Sequence, residues 1–272
     1  MSSKSTLVYS LWAFVFIANP SYAQTQLPKD GPLGMKFVAL PKGTTYMGWD
    51  GTKGSSKSIE IKSDFEIAIH TVTQGQWTKL METNPSAFGR SGEKKEKVKD
   101  IKDDDLKQFP VENVSWKDSQ LFIKKLNQQE AGKGYRYRLP VEAEWEYACR
   151  GGATDQNECQ FLFYFDKPTN ELHSSKANFD GYFPFGKDEK GPFMNRPAKV
   201  GSYPPNKLGI YDMHGNMWQW CDDIYVPKKT LRTLRGGGWW SPGITCQASF
   251  RFKLDQASKS DCIGFRLVRV SE

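Results

Sequence analysis

The sequence RGGGWWSPGITCQASFR, from Arg235 to Arg251, places three glycines directly before two tryptophans. Consecutive glycines allow positive φ angles and a close approach of the backbone to its neighbours, which is typical of a tight turn. If the chain is extended after this turn, Trp239 and Trp240 point in opposite directions, so one of them faces solvent. Cys246 then has three interpretations: a catalytic thiol, half of a disulfide, or a buried thiol that only packs.

The first residues of the chain have the three parts of a secretion signal. Lys4 gives the positive start, Leu7–Ala18 is an apolar run too short to span a bilayer, and Ser21 to Ala23 supply the small residues before a cleavage site. We therefore predict a signal peptide at 1–23, a short tail at 24–33 and one domain at 34–272. The expected location is the periplasm or the extracellular medium, with no stable membrane insertion.

Charge and cysteine content argue against two classes of function. The formal net charge of the 272 residues is +7, but basic and acidic residues alternate, and even the dense run Glu93–Lys107 nearly cancels. Such a run predicts a solvated loop and no nucleic-acid partner. The five cysteines include no CxxC pair and the three histidines lie far apart in the sequence, so a zinc or iron centre has little support.

Turn-forming residues dominate the chain, which has 24 glycines and 15 prolines, and this predicts short elements joined by loops. Two capping boxes, T-x-x-Q and S-x-x-D, predict helices at Thr73–Met81 and Ser115–Gln128, the second with an apolar face. A third helix is predicted at Val141–Cys149, because it follows Pro140, whose φ angle suits a first helical turn. Strands are predicted at Met35–Leu40, Phe65–His70 and Phe265–Val270. The long irregular segment 159–203 needs something to hold it, and bound calcium is one candidate.

Several motifs occur in one order along nearly the whole chain: GMKFVALPKGTTYMG, VTQGQW, NPSAF, PVENVSWKDSQLFIKKLN, YRLPVEAEWEYACRGG, VGSYPPNKLGIYDMHGNMWQW, LRGGGWW and GFRLV. Together they resemble the formylglycine-generating enzyme, or sulfatase-modifying factor, family. The resemblance implies a single α+β domain with a C-type-lectin-like fold, low in regular secondary structure, and we expect it to be a monomer.

The resemblance also implies structural calcium. One ligand set corresponds to Asp212, Gly215, Met217 and Gln219; a second corresponds to Asn178 and the carbonyl of Phe179, completed by Asp188 or Phe193. Calcium accepts this mixture of carboxylate, amide and carbonyl oxygens. The family usually has Glu where this chain has Gln219, so the first set loses one negative charge. The alternative is that Asp212 caps a turn and no ion binds.

Formylglycine-forming members carry two cysteines, five residues apart, that bind copper(I) for the oxidation of a sulfatase cysteine. Cys246 stands at the second of these positions and Ser241 at the first, and a neutral hydroxyl is a poor substitute for a thiolate. Gly238 and Cys262 replace two further residues of that centre, whereas Trp218 is retained. An oxidase that uses Cys246, Trp218 and copper therefore remains the alternative function.

The wider family includes ligand-binding proteins, among them the variable proteins of diversity-generating retroelements, whose binding residues lie between motifs like RGGGWW and GFR. This resemblance predicts that the chain binds a peptide, protein or glycan through one face. The candidate contact residues are Trp239, Trp240, Ser241, Phe250, Arg251 and Lys253. A disulfide between Cys246 and Cys262 would close the same loop, and Cys149–Cys262 is the other pairing left open.

Overall fold

The computed structural model describes residues 27–186, 189–225 and 230–272. Within them the chain forms four helices: α1 Gln74–Met81, α2 Asp103–Leu106, α3 Trp116–Gln129 and α4 Glu142–Cys149. The strands are β1 Lys29–Asp30, β2 Lys36–Leu40, β3 Gly43–Met47, β4 Lys57–Ile61, β5 Phe65–Ala68, β6 Tyr135–Arg138, β7 Phe163–Tyr164, β8 Pro168–Thr169, β9 Trp218–Ile224, β10 Leu231–Arg235, β11 Phe252–Asp255, β12 Ile263–Gly264 and β13 Val268–Ser271. The predicted signal peptide lies outside the described residues.

The larger sheet has five strands in the order β1-β2-β5-β13-β6, so the last strand of the chain lies inside it. The strands expected at Met35–Leu40 and Phe65–His70 are present as β2 and β5. The strand expected from Phe265 begins later, at Val268, because the Phe265 carbonyl accepts the Val72 N–H (2.9 Å) from the turn after β5. β1 lies within the segment expected to form a tail and pairs with β2.

The helices α1 and α3 begin at the capping boxes predicted from the sequence. Thr73 Oγ1 accepts the Gln76 N–H (3.2 Å), and Gln76 Oε1 accepts the Thr73 N–H (3.0 Å). Ser115 and Asp118 form the same reciprocal pair at the start of α3. Each box satisfies backbone donors for which the helix has no internal partner, and this fixes where the helix starts.

The third predicted helix is α4, but Pro140 does not form its first turn. The helix begins at Glu142, after Val141, whose N–H donates to Glu144 Oε2 (3.0 Å). Seven of the eight residues of α4 are buried, three of them glutamates. A buried helix with three carboxylates requires cationic partners. These come from three places: Arg235 on β10 of the smaller sheet, Arg138 on β6 of the larger sheet, and Arg150 directly after the helix.

The smaller sheet has the strand order β11-β10-β9-β12 and carries the candidate site. β10 is antiparallel to β9 on one side and to β11 on the other, and β12 runs parallel to β9. Side chains alternate between the two faces of β10, so that Leu234 and Arg235 point in opposite directions. Leu234 joins the main aromatic core, and Arg235 points to α4.

Buried apolar side chains form three clusters. The largest lies between the two sheets and α1 and α3, where the Trp77 ring stacks on Phe122 (5.3 Å between centroids) and meets Phe265 edge-on (6.2 Å). Cys262 belongs to this cluster, whereas Cys246 belongs to a third, separate cluster beside β7. Burial of these rings is the main favourable contribution to folding.

The irregular segment 159–203 is held by hydrogen bonds to the stretch 212–246. The Asn216 N–H donates to the Asn178 carbonyl (2.7 Å), the Tyr164 N–H to His214 Nε2 (2.8 Å), and the Asp180 N–H to the Ser241 carbonyl (3.0 Å). These bonds satisfy backbone groups that no sheet or helix pairs. No helix within 27–186, 189–225 or 230–272 has the length and apolarity needed to cross a membrane.

Candidate functional site

The glycine turn after β10 requires its glycines. Gly236 and Gly237 have φ angles of 96° and 77°. A Cβ on Gly237 would lie 2.4 Å from Cys246 Sγ, and one on Gly236 would lie 3.1 Å from the Trp145 ring. Both the positive φ values and the close contacts exclude larger side chains, so this turn fixes where the following residues emerge.

One of the two tryptophans after the glycine turn is exposed and the other is buried, although the chain here is not extended: both lie in a second turn, closed by the hydrogen bond from the Ser241 N–H to the Gly238 carbonyl (3.0 Å). Trp240 is 52% exposed, whereas Trp239 is only 5% exposed. The Trp239 ring stacks on Phe193 (6.1 Å between centroids), and its Nε1 donates to the Asp261 carbonyl (3.0 Å). Trp239 is therefore a core residue that supports the face, and Trp240 is the one that a ligand can reach.

Lys94 covers the other side of Trp239. Its ammonium group lies 5.3 Å from the Phe88 ring centroid and 5.4 Å from that of Trp239, and it pairs with Asp261. The charged run Glu93–Lys107 is thus not entirely a solvated loop, because its second residue packs on the aromatic core. Alternating charge in the sequence gave no signal for this contact.

Ser241 is buried and has a structural role in the turn. Its Oγ accepts the Gly238 N–H (2.9 Å), and its carbonyl accepts the Asp180 N–H (3.0 Å). These two bonds tie the turn to the irregular segment. A ligand cannot reach the hydroxyl without opening the turn, so Ser241 is a support and not a contact residue.

The other predicted contact residues lie on or beside β11. Phe250 is half-buried against Trp218 (6.1 Å between centroids). Arg251 is exposed but ion-paired, with its Nε donating to Glu142 Oε1 (2.7 Å). Lys253 is exposed, lies 4.3 Å from the Tyr225 ring centroid, and has no carboxylate partner among the described residues. Arg251 and Lys253 are therefore accessible cations on one side of β11.

Most large apolar side chains that remain exposed are attached to this region. We name as the aromatic patch Tyr182, Phe183, Trp240, Ile244 and Phe252, which are 55%, 59%, 52%, 52% and 42% exposed. The Phe183 carbonyl accepts the Gly243 N–H (2.9 Å), and the Phe252 ring lies 5.4 Å from that of Trp218. Sequence reasoning found only Trp240 of these five. The GYFPFG stretch, with rings in a glycine-rich loop, was the available signal.

All five cysteines are buried free thiols, so the expected Cys246–Cys262 disulfide is absent, as is the alternative pairing of Cys149 with Cys262. The physical reason is that Cys246 packs against Gly237 and Cys262 against Gly238, in two different core clusters. Burial raises the pKa of the Cys246 thiol well above its usual range. Of the three interpretations of Cys246, the buried packing thiol is the one that the geometry favours.

A network of buried charges lies behind the glycine turn. Glu146 Oε1 accepts hydrogen bonds from Arg150 Nη2 (2.6 Å) and from the Gly48 N–H (2.7 Å), while Glu146 Oε2 accepts one from Arg235 Nη2 (2.5 Å). Glu142 joins the network through Arg235 Nη1 (3.2 Å). The two guanidinium groups hold the pKa of Glu146 below its ordinary value despite complete burial, which raises it. The network fixes the direction in which β10 enters the turn.

Comparisons with known proteins agree with this architecture. The family described as sulfatase-modifying factor enzyme 1-like domain matches residues 24–271. The chain belongs to this family. A relative named chaperone protein LppX, from Paenibacillus barcinonensis, is 32% identical over 253 residues, which are 79% of this chain and 83% of that protein. Inactive C-alpha-formylglycine-generating enzyme 2 of Bos taurus is 33% identical over 58% of this chain, and the match spans only 50% of that protein.

Two solved structures resemble the whole domain. Treponema denticola variable protein 1 matches with a TM-score of 0.68 and 22% identity, covering 90% of this chain and 99% of that one. PvdO from Pseudomonas aeruginosa matches with a TM-score of 0.65 and 24% identity, covering 89% and 97%. Identities this low establish the fold only. The predicted single α+β domain of C-type-lectin-like fold is confirmed.

The residues present do not fit the copper centre of the oxidases in this sulfatase-modifying factor family. Copper(I) favours thiolates, but the Ser241 hydroxyl is neutral and already accepts a hydrogen bond. Cys246 is fully buried, and its Sγ contacts the Pro242 carbonyl oxygen at 3.8 Å. Trp218, the other candidate catalytic residue, packs between Phe250 and Phe252. We therefore derive no step through copper.

The first calcium set is already satisfied by protein groups. Gln219 Oε1 accepts from Trp145 Nε1 (2.8 Å) and Arg266 Nε (2.6 Å), and Gln219 Nε2 donates to the Asp212 carbonyl (2.8 Å). The Gly215 carbonyl accepts the Met217 N–H (2.9 Å). Burial raises the pKa of Asp212 to about 6. With the Arg266 cation bound to Gln219, this set does not fit calcium.

The second set retains an oxygen that has no partner. Asn178 Oδ1 is buried and accepts no hydrogen bond from the residues that the structure describes, while its Nδ2 donates to the Arg196 carbonyl (3.0 Å). Of the possible partners, Phe179 is buried, Phe193 is half-buried against Trp239, and Asp188 lies outside the described residues. An unpartnered amide oxygen suits a hard cation, so Asn178 is the better of the two calcium candidates.

Proposed function

We propose that this domain is an exported binding protein that captures extended polypeptide segments on the aromatic patch and the adjacent cations of β11. The observation that carries the proposal is the clustering of exposed rings. Nine large hydrophobic side chains are exposed in the described residues, and five of them form the patch around the glycine turn. A concentration of exposed apolar side chains in one region of a folded domain marks an interaction site.

The supports beneath the patch favour recognition over chemistry. Ser241, Trp239 and the three glycines are fully engaged in fixing the turn, so the exposed rings project from a rigid base. Rigid aromatic side chains lose little conformational entropy on binding and are enriched among residues that dominate binding energy. The oxidase alternative would need a reactive thiol at this face, whereas Cys246 is enclosed beneath it.

A polypeptide suits the patch better than a glycan. The patch has wide apolar area, flanked by Arg251 and Lys253, and its five members offer only the Tyr182 hydroxyl and Trp240 Nε1 for hydrogen bonding. Sugar recognition depends on many directional hydrogen bonds, whereas an unfolded segment presents apolar side chains and backbone. One relative is named a chaperone, and a chaperone requires such a surface.

The test uses fluorescently labelled, reduced and carboxymethylated α-lactalbumin as an unfolded polypeptide, with binding followed by anisotropy. Trp240→Ala is expected to weaken binding by about thirtyfold, the equivalent of about 2 kcal/mol for a buried aromatic contact. Leu121→Ala is the matched control, because Leu121 is also 55% exposed but lies on α3. Equal weakening by both variants, or no binding by the unmodified domain, would contradict the proposal.

A further inference from the structure

β11 is the edge strand of the smaller sheet. Its inner side pairs with β10 from Leu231 opposite Asp255 to Leu234 opposite Phe252. On its outer side it pairs with no other strand within 27–186, 189–225 and 230–272. An edge strand presents unpaired backbone donors and acceptors, and another extended chain can bond to them.

The direction of each backbone group on β11 follows from the ladder. Gln256, just after the strand, donates its N–H to the Thr230 carbonyl (2.8 Å), so this is a hydrogen-bonded pair. Such pairs alternate along an antiparallel ladder, so Leu254 and Phe252 also point their backbone groups towards β10. Lys253 and Asp255 point theirs outwards. The Asp255 carbonyl is taken by the Ser258 N–H (2.9 Å), which ends the free edge.

The two faces of β11 have different chemistry beside this edge. Phe252 lies on the face of the sheet that carries Trp218, as part of the aromatic patch. Arg251 and Lys253 lie on the opposite face, 5.1 Å and 4.3 Å from the Tyr225 ring centroid. A strand added to this edge would therefore meet rings on one of its faces and cations on the other, with the period of two that strands have.

We propose that the captured segment adds to the smaller sheet as a fifth strand along the outer edge of β11, and that segments alternating apolar and acidic residues are preferred. This inference rests on the proposed function and specifies its ligand. Main-chain hydrogen bonds to Lys253 and to the Asp255 N–H would hold the segment irrespective of its sequence. The rings, and the Lys253 cation, which has no carboxylate partner in the described part of the chain, would select for the alternation.

Lysine on an edge strand also has a protective role, since its charge discourages pairing between copies of a protein. That role predicts repulsion of every added strand. The proposed role predicts attraction of an acidic one and rejection of a basic one. The variant Lys253→Glu distinguishes the two roles. Under the proposed role, the unmodified domain prefers acidic probes and the variant prefers basic ones; under the protective role, no such reversal is expected.

The probe is a labelled eight-residue peptide alternating Glu with Phe and Val, with its ends blocked, used at concentrations below self-association. Two further versions of the peptide carry backbone N-methyl groups on alternate residues. One version is methylated at the odd-numbered residues and the other at the even-numbered residues. Only one set faces β11 in an added strand. One version is therefore expected to bind at least tenfold more weakly than the parent peptide, and the other is expected to bind like the parent.

A variant provides the complementary arm. Lys253→Pro removes an outward N–H that β10 does not use, so it is expected to weaken the peptide at least tenfold while the thermal unfolding temperature stays within a few degrees. A peptide of the same composition, with its Glu residues in one block, is expected to bind at least tenfold more weakly. If the variant does not fold, the methylated peptides still decide the question on the unmodified domain.

Each other outcome overturns a specific part. If neither methylated version weakens binding while Trp240→Ala still does, strand addition is wrong and polypeptide capture stands. If α-lactalbumin binds and no alternating peptide does, the preference for alternation is wrong. If neither binds, the proposed function itself fails. If Lys253→Pro instead converts a dimer to a monomer in sedimentation without peptide, the occupant of β11 is a second copy of this chain.

Discussion

Two residues on neighbouring strands of the smaller sheet, Arg235 on β10 and Phe252 on β11, lie in opposite environments. Arg235 is fully buried with its guanidinium bonded to Glu146 and Glu142, whereas Phe252, like Trp240 in the same patch, holds a large ring in solvent. The usual distribution is reversed, with charges inside and aromatic rings outside. Buried ion pairs add little net stability but demand one geometry, and exposed rings cost solubility unless they bind something. The difference indicates that the buried ion pairs fix the position of the glycine turn, from which the exposed rings project.

The largest expected effect comes from breaking the interior. Glu146→Ala would leave both Arg150 and Arg235 without their shared carboxylate in a site with no solvent. Removing one partner of a buried pair costs about 3 to 5 kcal/mol, because the remaining charge is uncompensated. Urea denaturation measures this loss. Asp104→Ala, which removes an exposed ion pair with Lys107, is the control and should cost less than about 1 kcal/mol.

A second interior prediction concerns pH. Glu112 is fully buried, and burial raises its pKa to about 8, although its carboxylate accepts the Phe88 N–H (2.9 Å) and the Ala87 N–H (3.1 Å). A raised carboxyl pKa means that the stability contributed by Glu112 is present below its unfolded value of 4.5 and is lost as pH rises through about 8. The slope is at most about 1.4 kcal/mol per pH unit for one proton.

Denaturation at pH values between 5 and 9 would check this, with Glu112→Gln as the comparison. The variant loses one of the two backbone hydrogen bonds at every pH, which gives a constant offset, but its stability should no longer decline between about pH 4.5 and about pH 8 through this group. His70 and His214 act in the opposite direction, because burial lowers the pKa of each to about 4 and their contribution is lost as pH falls below about 6.5. If the stability of the Glu112→Gln variant still declined over this pH range, the decline would come from another titratable group.

The glycine turn connects the two regions, and a pair of variants measures how tightly. Gly237→Ala combines a φ of 77° with a Cβ 2.4 Å from Cys246 Sγ, so we expect a loss of about 2 to 4 kcal/mol. Gly209→Ala has nearly the same φ, 75°, and no atom within 4 Å of its Cβ. It should cost only about 1 kcal/mol of backbone strain. If both variants lost the same free energy of unfolding in urea, the Cys246 side chain would be able to move away from the added methyl group at little cost.

The sequence predicted the regular parts of this fold because their signals are local. The capping boxes at Thr73 and Ser115, and the short apolar stretches that form β2 and β5, depend on neighbouring residues only. The C-type-lectin-like fold came from motif order over the whole chain. The strand at Phe265 was misplaced because its start is set by a contact with Val72, which is distant in sequence.

The site was only half predictable, for a similar reason. The prediction that one of Trp239 and Trp240 faces solvent holds, but its premise of an extended chain is wrong, because both residues lie in a turn. This prediction does not find Phe183, which is brought to the patch by a hydrogen bond with Gly243, nor Lys94, which covers Trp239. The prediction of a Cys246–Cys262 disulfide was wrong. It rested on cysteine spacing and an oxidising compartment, and neither reveals that each thiol packs against a different glycine of the turn.

Gln219 offers a way to change the interior with a smaller effect. Gln219→Glu would replace the amide donor to the Asp212 carbonyl by a second acceptor, at a separation that is now 2.8 Å. Without a cation, we expect a loss of about 1 to 3 kcal/mol for the unmet hydrogen bond. Arg266 Nε now donates to Oε1 of this side chain (2.6 Å), so calcium binds only if the new carboxylate releases it. In that case added calcium should restore stability, by roughly 2.7 kcal/mol at a hundredfold excess over the dissociation constant.

Thermal unfolding with calcium, magnesium or chelator would measure the response, and magnesium is the control because it binds reluctantly to all-protein oxygen sites. In the unmodified domain, only the Asn178 set is left to respond to calcium. If calcium raised the unfolding temperature equally in the unmodified domain and in an Asn178→Ala variant, the ion would bind at the Asp212 set. That result would contradict the conclusion that the bonds of Gln219 exclude calcium there.

The smallest expected effect on stability is at the surface. Trp240→Ala removes a ring that is half in solvent, with its neighbour Trp239 still filling the core, so the free energy of unfolding should change by no more than about 0.5 kcal/mol. Trp239→Ala is the matched interior variant, one residue away, and should cost about 3 to 5 kcal/mol because it leaves a cavity between Phe193 and Phe88. The binding of α-lactalbumin should rank the two in the opposite order when measured at a temperature where both are folded. A large loss of stability in Trp240→Ala would show that this ring is part of the core. Trp240 would then belong to the fixed interior and not to the binding surface.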